Sequence, residues 1–296
     1  MDLETRMKID LGELLYCGQI TNALAVEKEF GVSSRAIPGY YAGDRDAKTV
    51  IVMLNPGNDA QKAVYDSMPE LTLFRYLGLE AFFQKKKAES RNAGYSLGSI
   101  LDYFDLKTAA FLSAWYNSGI VFPDGFITSK QYAPITDDKN IRIEANRNCL
   151  NQKLQLELLP YPSSEFTGIK KGNVNLLVPF VETLLEEIFS VERKYIIFAG
   201  NGFETIFNFA NFNQMIKVGY SCSTKLMKIG NNGKLEETKT EFRCTLITLK
   251  YGNNKPIIAI IANTFPNQAL SRALGLMYQY GKFCYETFFN YKQQNP

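Results

Sequence analysis

Three short apolar runs constrain this chain more than any other feature. They are Thr49-Val50-Ile51-Val52-Met53-Leu54, Tyr195-Ile196-Ile197-Phe198-Ala199 and Pro256-Ile257-Ile258-Ala259-Ile260-Ile261. Each is rich in β-branched residues and lacks polar alternation, so each reads as a strand buried on both faces, the habit of a parallel sheet. Parallel neighbours need a crossover, usually a helix. Val174 to Val191 supplies the clearest one, with Leu177, Val181, Leu184, Leu185 and Ile188 at helical spacing and Glu182, Glu186 and Glu187 opposite.

The rest of the chain fits that frame. Leu11 to Phe30 reads as one amphipathic helix stopped by Gly31, and residues 60–120 read as mostly helical. Lys85-Lys86-Lys87 is placed at a helix end, where the macrodipole favours cations. Phe122 to Asn140 reads as a long loop, and Leu154 to Leu159 as a further strand stopped by Pro160-Tyr161-Pro162. A short helix is expected near Phe203 to Phe209 and a longer one from Leu270 to Phe289. Lys217 to Met227 and Phe242 to Leu249 flank Gly230-Asn231-Asn232-Gly233 and read as a β-hairpin. The expected fold class is α/β: a three-layer α/β/α sandwich with a mainly parallel central sheet. It forms a single domain over 1–296, with an N-terminal helical segment at 1–48 and a helical and loop insertion at 60–150.

The sequence has 296 residues and no histidine. Histidine-based triads, dyads and zinc helices are therefore excluded, and chemistry falls to carboxylates, amides, hydroxyls, thiols and lysines. The five cysteines, Cys17, Cys149, Cys222, Cys244 and Cys284, are odd in number and dispersed. They read as reduced thiols, most of them filling the core, with no disulfide framework, iron–sulfur cluster or zinc knuckle. No metal and no cofactor is expected. Net charge is +3, which permits a nucleic-acid partner without requiring one. The acidic start, Met1-Asp2-Leu3-Glu4, does not look like a signal peptide, and no apolar run is long enough to cross a bilayer. A cytoplasmic protein without a membrane partner is the expectation.

In open α/β sheets, ligands bind outside the carboxyl ends of the strands where the strand order reverses. Those ends are Asn55-Pro56-Gly57, Pro160-Tyr161-Pro162, Gly200-Asn201-Gly202 and the loop from Ala262 to Ser271. Val50 to Gly57 resembles the first motif of the uracil-DNA glycosylase superfamily, in its mismatch-specific branch. Glu157 to Ser163 is similar to the second strand, Tyr195 to Gly202 to the strand-then-glycine segment before the third helix, and Pro266-Asn267-Gln268-Ala269-Leu270-Ser271-Arg272 to the loop that enters DNA.

The resemblance implies hydrolysis of the N-glycosidic bond of a flipped damaged or mismatched base. It implies DNA, a nucleobase or a nucleotide as partner. The catalytic candidates are Asn55, which would hold water in line, and Asp59 and Glu157, which could supply the base that an amide lacks. Glu157 also stands where several branches carry the asparagine that reads uracil. The substrate-binding candidates are Pro56, Gly57, Tyr65 (with Phe74 as rival stacking ring), Tyr161, Asn263, Asn267, Gln268, Ser271 and Arg272. Lys85-Lys86-Lys87 and Lys170-Lys171 are candidate phosphate tracks, and Gly200-Asn201-Gly202 a candidate phosphate cradle. The entering loop lacks the family's Pro-Ser pair and histidine. A non-catalytic module that keeps the pocket, or a structural interaction protein, is therefore the alternative.

Overall fold

The apolar runs become the middle of one twisted sheet. The computed structural model describes residues 1–54, 57, 60–95, 102–163, 169–230, 232–265 and 274–294. In chain order these residues form α1 (Leu3–Cys17), α2 (Thr21–Phe30), β1 (Tyr41–Gly43), β2 (Thr49–Met53), α3 (Ala60–Leu77) and α4 (Leu79–Arg91). Next come α5 (Tyr103–Leu112), α6 (Lys139–Gln152), β3 (Leu154–Glu157), α7 (Val178–Phe189), β4 (Tyr195–Ala199) and α8 (Gly202–Phe207). The chain continues through β5 (Ile216–Thr224), β6 (Met227–Ile229), β7 (Leu235–Glu237), β8 (Phe242–Leu249), β9 (Ile257–Ala262) and α9 (Leu274–Gln294).

The main sheet runs β1-β3-β2-β4-β9-β8-β5. Strands β3, β2, β4 and β9 are mutually parallel, whereas β1, β8 and β5 join in antiparallel fashion at the flanks. Strands β2 and β9, which end in Met53 and just beyond Ile261, therefore lie in one sheet and point the same way. β6 and β7 form a small separate hairpin between β5 and β8, closed through the Gly230–Lys234 turn.

Side chains alternate across the pleat with period two. Val50, Val52, Leu154, Leu156, Ile196 and Phe198 enter one core with α1, α2, α7 and α8. Ile51, Met53, Ile197, Ala199, Ile260 and Ala262 enter a second core with α5, α6 and α9. Helices thus cover both faces. The 60–150 stretch is divided between them: α3 and α4 contribute Leu71, Phe74, Phe82 and Phe83 to the first core, and α5 and α6 serve the second.

Several local expectations need correction. The single helix over Leu11–Phe30 is two, because Gly18 adopts the left-handed conformation (φ 77°) and caps α1 by donating its N–H to the Leu14 carbonyl. The loop after Phe122 gives way at Lys139 to α6, whose start is capped by the Asp138 carboxylate on the Asn140 and Ile141 N–H groups. Lys85-Lys86-Lys87 lies inside α4, about one turn before its end at Arg91. These lysines pair with Glu70, Glu89 and Glu4, which neutralises the candidate phosphate track.

Candidate functional site

Strand β2 comes first among the parallel strands, yet it sits between β3 and β4. The strand order therefore reverses at the β2–β4 boundary, the position at which open α/β sheets place their ligand crevice. The boundary is tightly built. A Cβ on Gly202 would come 2.9 Å from Leu54 Cδ1, so a larger residue at the start of α8 would have to displace the Leu54 side chain at the end of β2. Of the residues expected here, Gly57 is exposed, while Asn55, Pro56 and Asp59 lie outside the described residues.

On one side of the crevice, β3 carries a polar ladder. Lys153, Gln155 and Glu157 follow at alternate positions, so they share the face turned toward α5 and α6. Lys153 Nζ donates to Gln155 Oε1 at 2.6 Å, and Gln155 Nε2 donates to Glu157 Oε1 at 2.9 Å. Glu157 Oε2 is buried without a hydrogen-bond partner among the described residues. Burial pushes the Glu157 carboxyl up to about 8, against the opposing pull of Gln155 and Lys153. The same burial lowers Lys153, which is 0% exposed, and raises Asp105 in the first turn of α5. Burial thus disfavours the charged form of both the acid and the amine in this ladder.

Asn146 adds a second orphan. It is 1% exposed on α6, and both ends of its carboxamide lack partners among the described residues. From Lys153, Asn146 lies seven residues back along a helix, about 10 Å, and Glu157 four residues on along a strand, about 13 Å. Buried polar groups are normally satisfied, so the unpaired ends of Asn146 and Glu157 mark these two residues as candidates for a polar ligand.

On the other side, α8, β8 and β9 assemble a hydrogen-bonded cluster. Arg243 Nη2 donates to Asn201 Oδ1 at 2.7 Å and pairs with Glu204. Asn263 Nδ2 donates to Glu204 Oε2 at 2.7 Å, and Thr245 Oγ1 donates to Asn263 Oδ1 at 3.0 Å. Asn201, Arg243, Asn263, Thr264 and Phe265 line an open cleft of about 510 Å³. The expected Asn263 is thus in the rim, 7% exposed, and held by neighbours. Asn201 Oδ1 is engaged by Arg243, while the residue itself remains exposed in the cleft. Asn267, Gln268, Ser271 and Arg272 lie outside the described residues.

The two expected aromatic contacts differ in burial. Tyr65 is 75% exposed on α3. Tyr161 is 0% exposed, its ring packs edge-on against Phe180, and its hydroxyl donates to Asp10 Oδ2 at 2.7 Å. Its side chain is committed to the core and not to the rim. Phe74, the rival ring, is likewise buried and stacks on Phe82.

Lys153, Gln155, Asp105, Asn146, Glu204 and Arg243 were not among the sequence candidates. Alternation through Lys153-Leu154-Gln155-Leu156-Glu157 was a visible signal for the ladder. Nothing local marks the others, because each reaches the rim from a different element. Neither family models nor curated proteins match this chain.

Proposed function

We propose that this chain is a divergent protein of the uracil-DNA glycosylase type that takes a flipped nucleobase into the crevice between β3, β2 and β4 and hydrolyses its N-glycosidic bond. The observation that carries this reading is Glu157: a buried carboxyl at the strand end, with one oxygen unpartnered and a proton retained at neutral pH. A protonated carboxyl both donates and accepts, so it matches the mixed edge of a base. It also donates to the oxygen or nitrogen that gains charge as the base departs, a role worth roughly 10²–10³ in rate for one well-placed donor. A proton held at neutral pH leaves Glu157 a poor general base there. In this reading Asn55 orients the water and Asp59 is the remaining carboxylate for the base. Asn146 supplies a second mixed donor and acceptor, and the Arg243 cleft receives the flanking phosphate.

A second reading, a binding module without turnover, is favoured by the same retained proton and by the burial of Tyr161 in the core. The deciding experiment offers oligonucleotides carrying uracil, mismatched or otherwise damaged bases and scores abasic sites. Excision that disappears in Asn55→Ala supports the enzyme. Salt-dependent binding without excision supports the module. Neither excision nor binding overturns both and leaves an interaction protein.

A further inference from the structure

Three of the five cysteines, dispersed in sequence, meet in space. Cys222 and Cys244 face each other across β5 and β8 in direct register, with sulfurs 3.5 Å apart. Cys284 approaches Cys244 from α9, and Thr287 Oγ1 lies 3.5 Å from the Cys222 sulfur. All three thiols are free; Cys244 and Cys284 are buried and Cys222 is partly accessible.

We propose that Cys222 and Cys244 form a reversible oxidation site, closing a cross-strand disulfide when the protein meets hydrogen peroxide. The partly accessible Cys222 thiolate attacks the peroxide, the O–O bond breaks, and a sulfenic acid and water result. The Cys244 thiolate then attacks Cys222 Sγ, the S–O bond breaks, and the hydroxide takes up the proton Cys244 gave up, leaving as water. Two thiols and one peroxide thus yield one disulfide and two waters, with two electrons passing to the oxidant. The sulfurs already stand at near-attack distance. Hydrogen bonds from Cys284 and Cys222 hold the Cys244 thiol below its ordinary value, whereas burial raises Cys222 to about 11. The resolving step is accordingly favoured over the first, and the site answers to peroxide slowly but closes promptly.

The site adjoins the rim. Cys244 stands between Arg243 and Thr245, and Cys284 is hydrogen-bonded to Tyr280. The Tyr280 hydroxyl donates to the Arg243 carbonyl at 2.5 Å and accepts from the Thr264 N–H at 3.1 Å.

The test uses the full chain carrying Cys17→Ser, which removes the exposed thiol that would join two copies. After hydrogen peroxide, intact mass should fall by two hydrogens, and non-reducing peptide mapping should join Cys222 to Cys244, reversibly with dithiothreitol. Cys244→Ser should instead accumulate a dimedone-reactive sulfenic acid at Cys222, and Cys222→Ser, altering a partly accessible position, should abolish the link. A Cys222 that advances to sulfinic acid with Cys244 present, or a link made through Cys284 instead, would overturn the proposal.

Discussion

Met53 and Glu157 are register partners across the parallel strands β2 and β3, so the buried Glu157 carboxyl stands beside the strand that delivers Asn55 two residues later. Its proton sets a pH dependence. Between the ordinary value of 4.5 and the native value of about 8, the native state holds a proton that the unfolded chain has released. Stability therefore falls as pH rises across that window, by up to a few kcal/mol, and the loss is complete above it. Lys153, lowered by the same burial, adds an opposite slope at alkaline pH, and so the informative quantity is a difference between variants. Urea denaturation at pH 6 and pH 9 should show Glu157→Gln losing less stability than the wild type between the two. Excision should fall as pH rises through about 8 if Glu157 donates, and rise if it acts as the base.

Asp10 is fully buried and accepts hydrogen bonds from Tyr40, Tyr161 and Asn22, tying α1 to the residues beside β1 and beyond β3. Asp10→Ala strands all three donors and should cost about 3–5 kcal/mol. Tyr161→Phe removes one donor and should cost about 1–2 kcal/mol while leaving nucleobase affinity unchanged. Chemical denaturation and a binding titration of the same variants check both. A Tyr161→Phe protein of full stability and weakened binding would return that ring to the pocket.

What the sequence made legible was set by burial. β4 falls on its apolar run, and β2 and β9 within a residue of theirs, because a strand covered on both faces has little choice of residue. β1 has three residues at a sheet edge, too few to show any period, and α6 buries little more than Ala145, Asn146, Cys149 and Leu150 in an otherwise polar helix. The candidate site was legible where a strand end delivers a polar residue to it, as at Glu157 and Asn263. It was illegible where partners converge from afar: Arg243 and Glu204 are 39 residues apart, and Cys222 and Cys244 become neighbours through strand register alone.

Arg243 and Glu241 line the rim cleft, and Glu204 pairs with Arg243. The Arg243 side chain is partly exposed, and Glu204 neutralises it. Arg243→Ala should weaken binding of a short DNA duplex and reduce the salt slope by about one. Glu204→Gln removes the competing anion, so it should tighten binding at low salt and steepen that slope. Fluorescence anisotropy across a salt series measures both. If neither slope moves, phosphate does not pass through this cleft.

Asn146 separates a ligand pocket from a packing defect. An amide that is buried with neither end paired destabilises the fold, and a leucine of similar volume should raise stability by about 1–3 kcal/mol. That gain is the expected result under either account of the residue, since it follows from the unpaired amide alone. Binding discriminates. If the carboxamide serves a base edge, Asn146→Leu should be the more stable protein and yet lose about tenfold or more in nucleobase affinity, because one mixed donor and acceptor has gone from a dry site. Denaturation midpoints and isothermal titration with free bases supply the two numbers. Greater stability with unchanged affinity would remove Asn146 from the pocket and leave Glu157 to read the base without it.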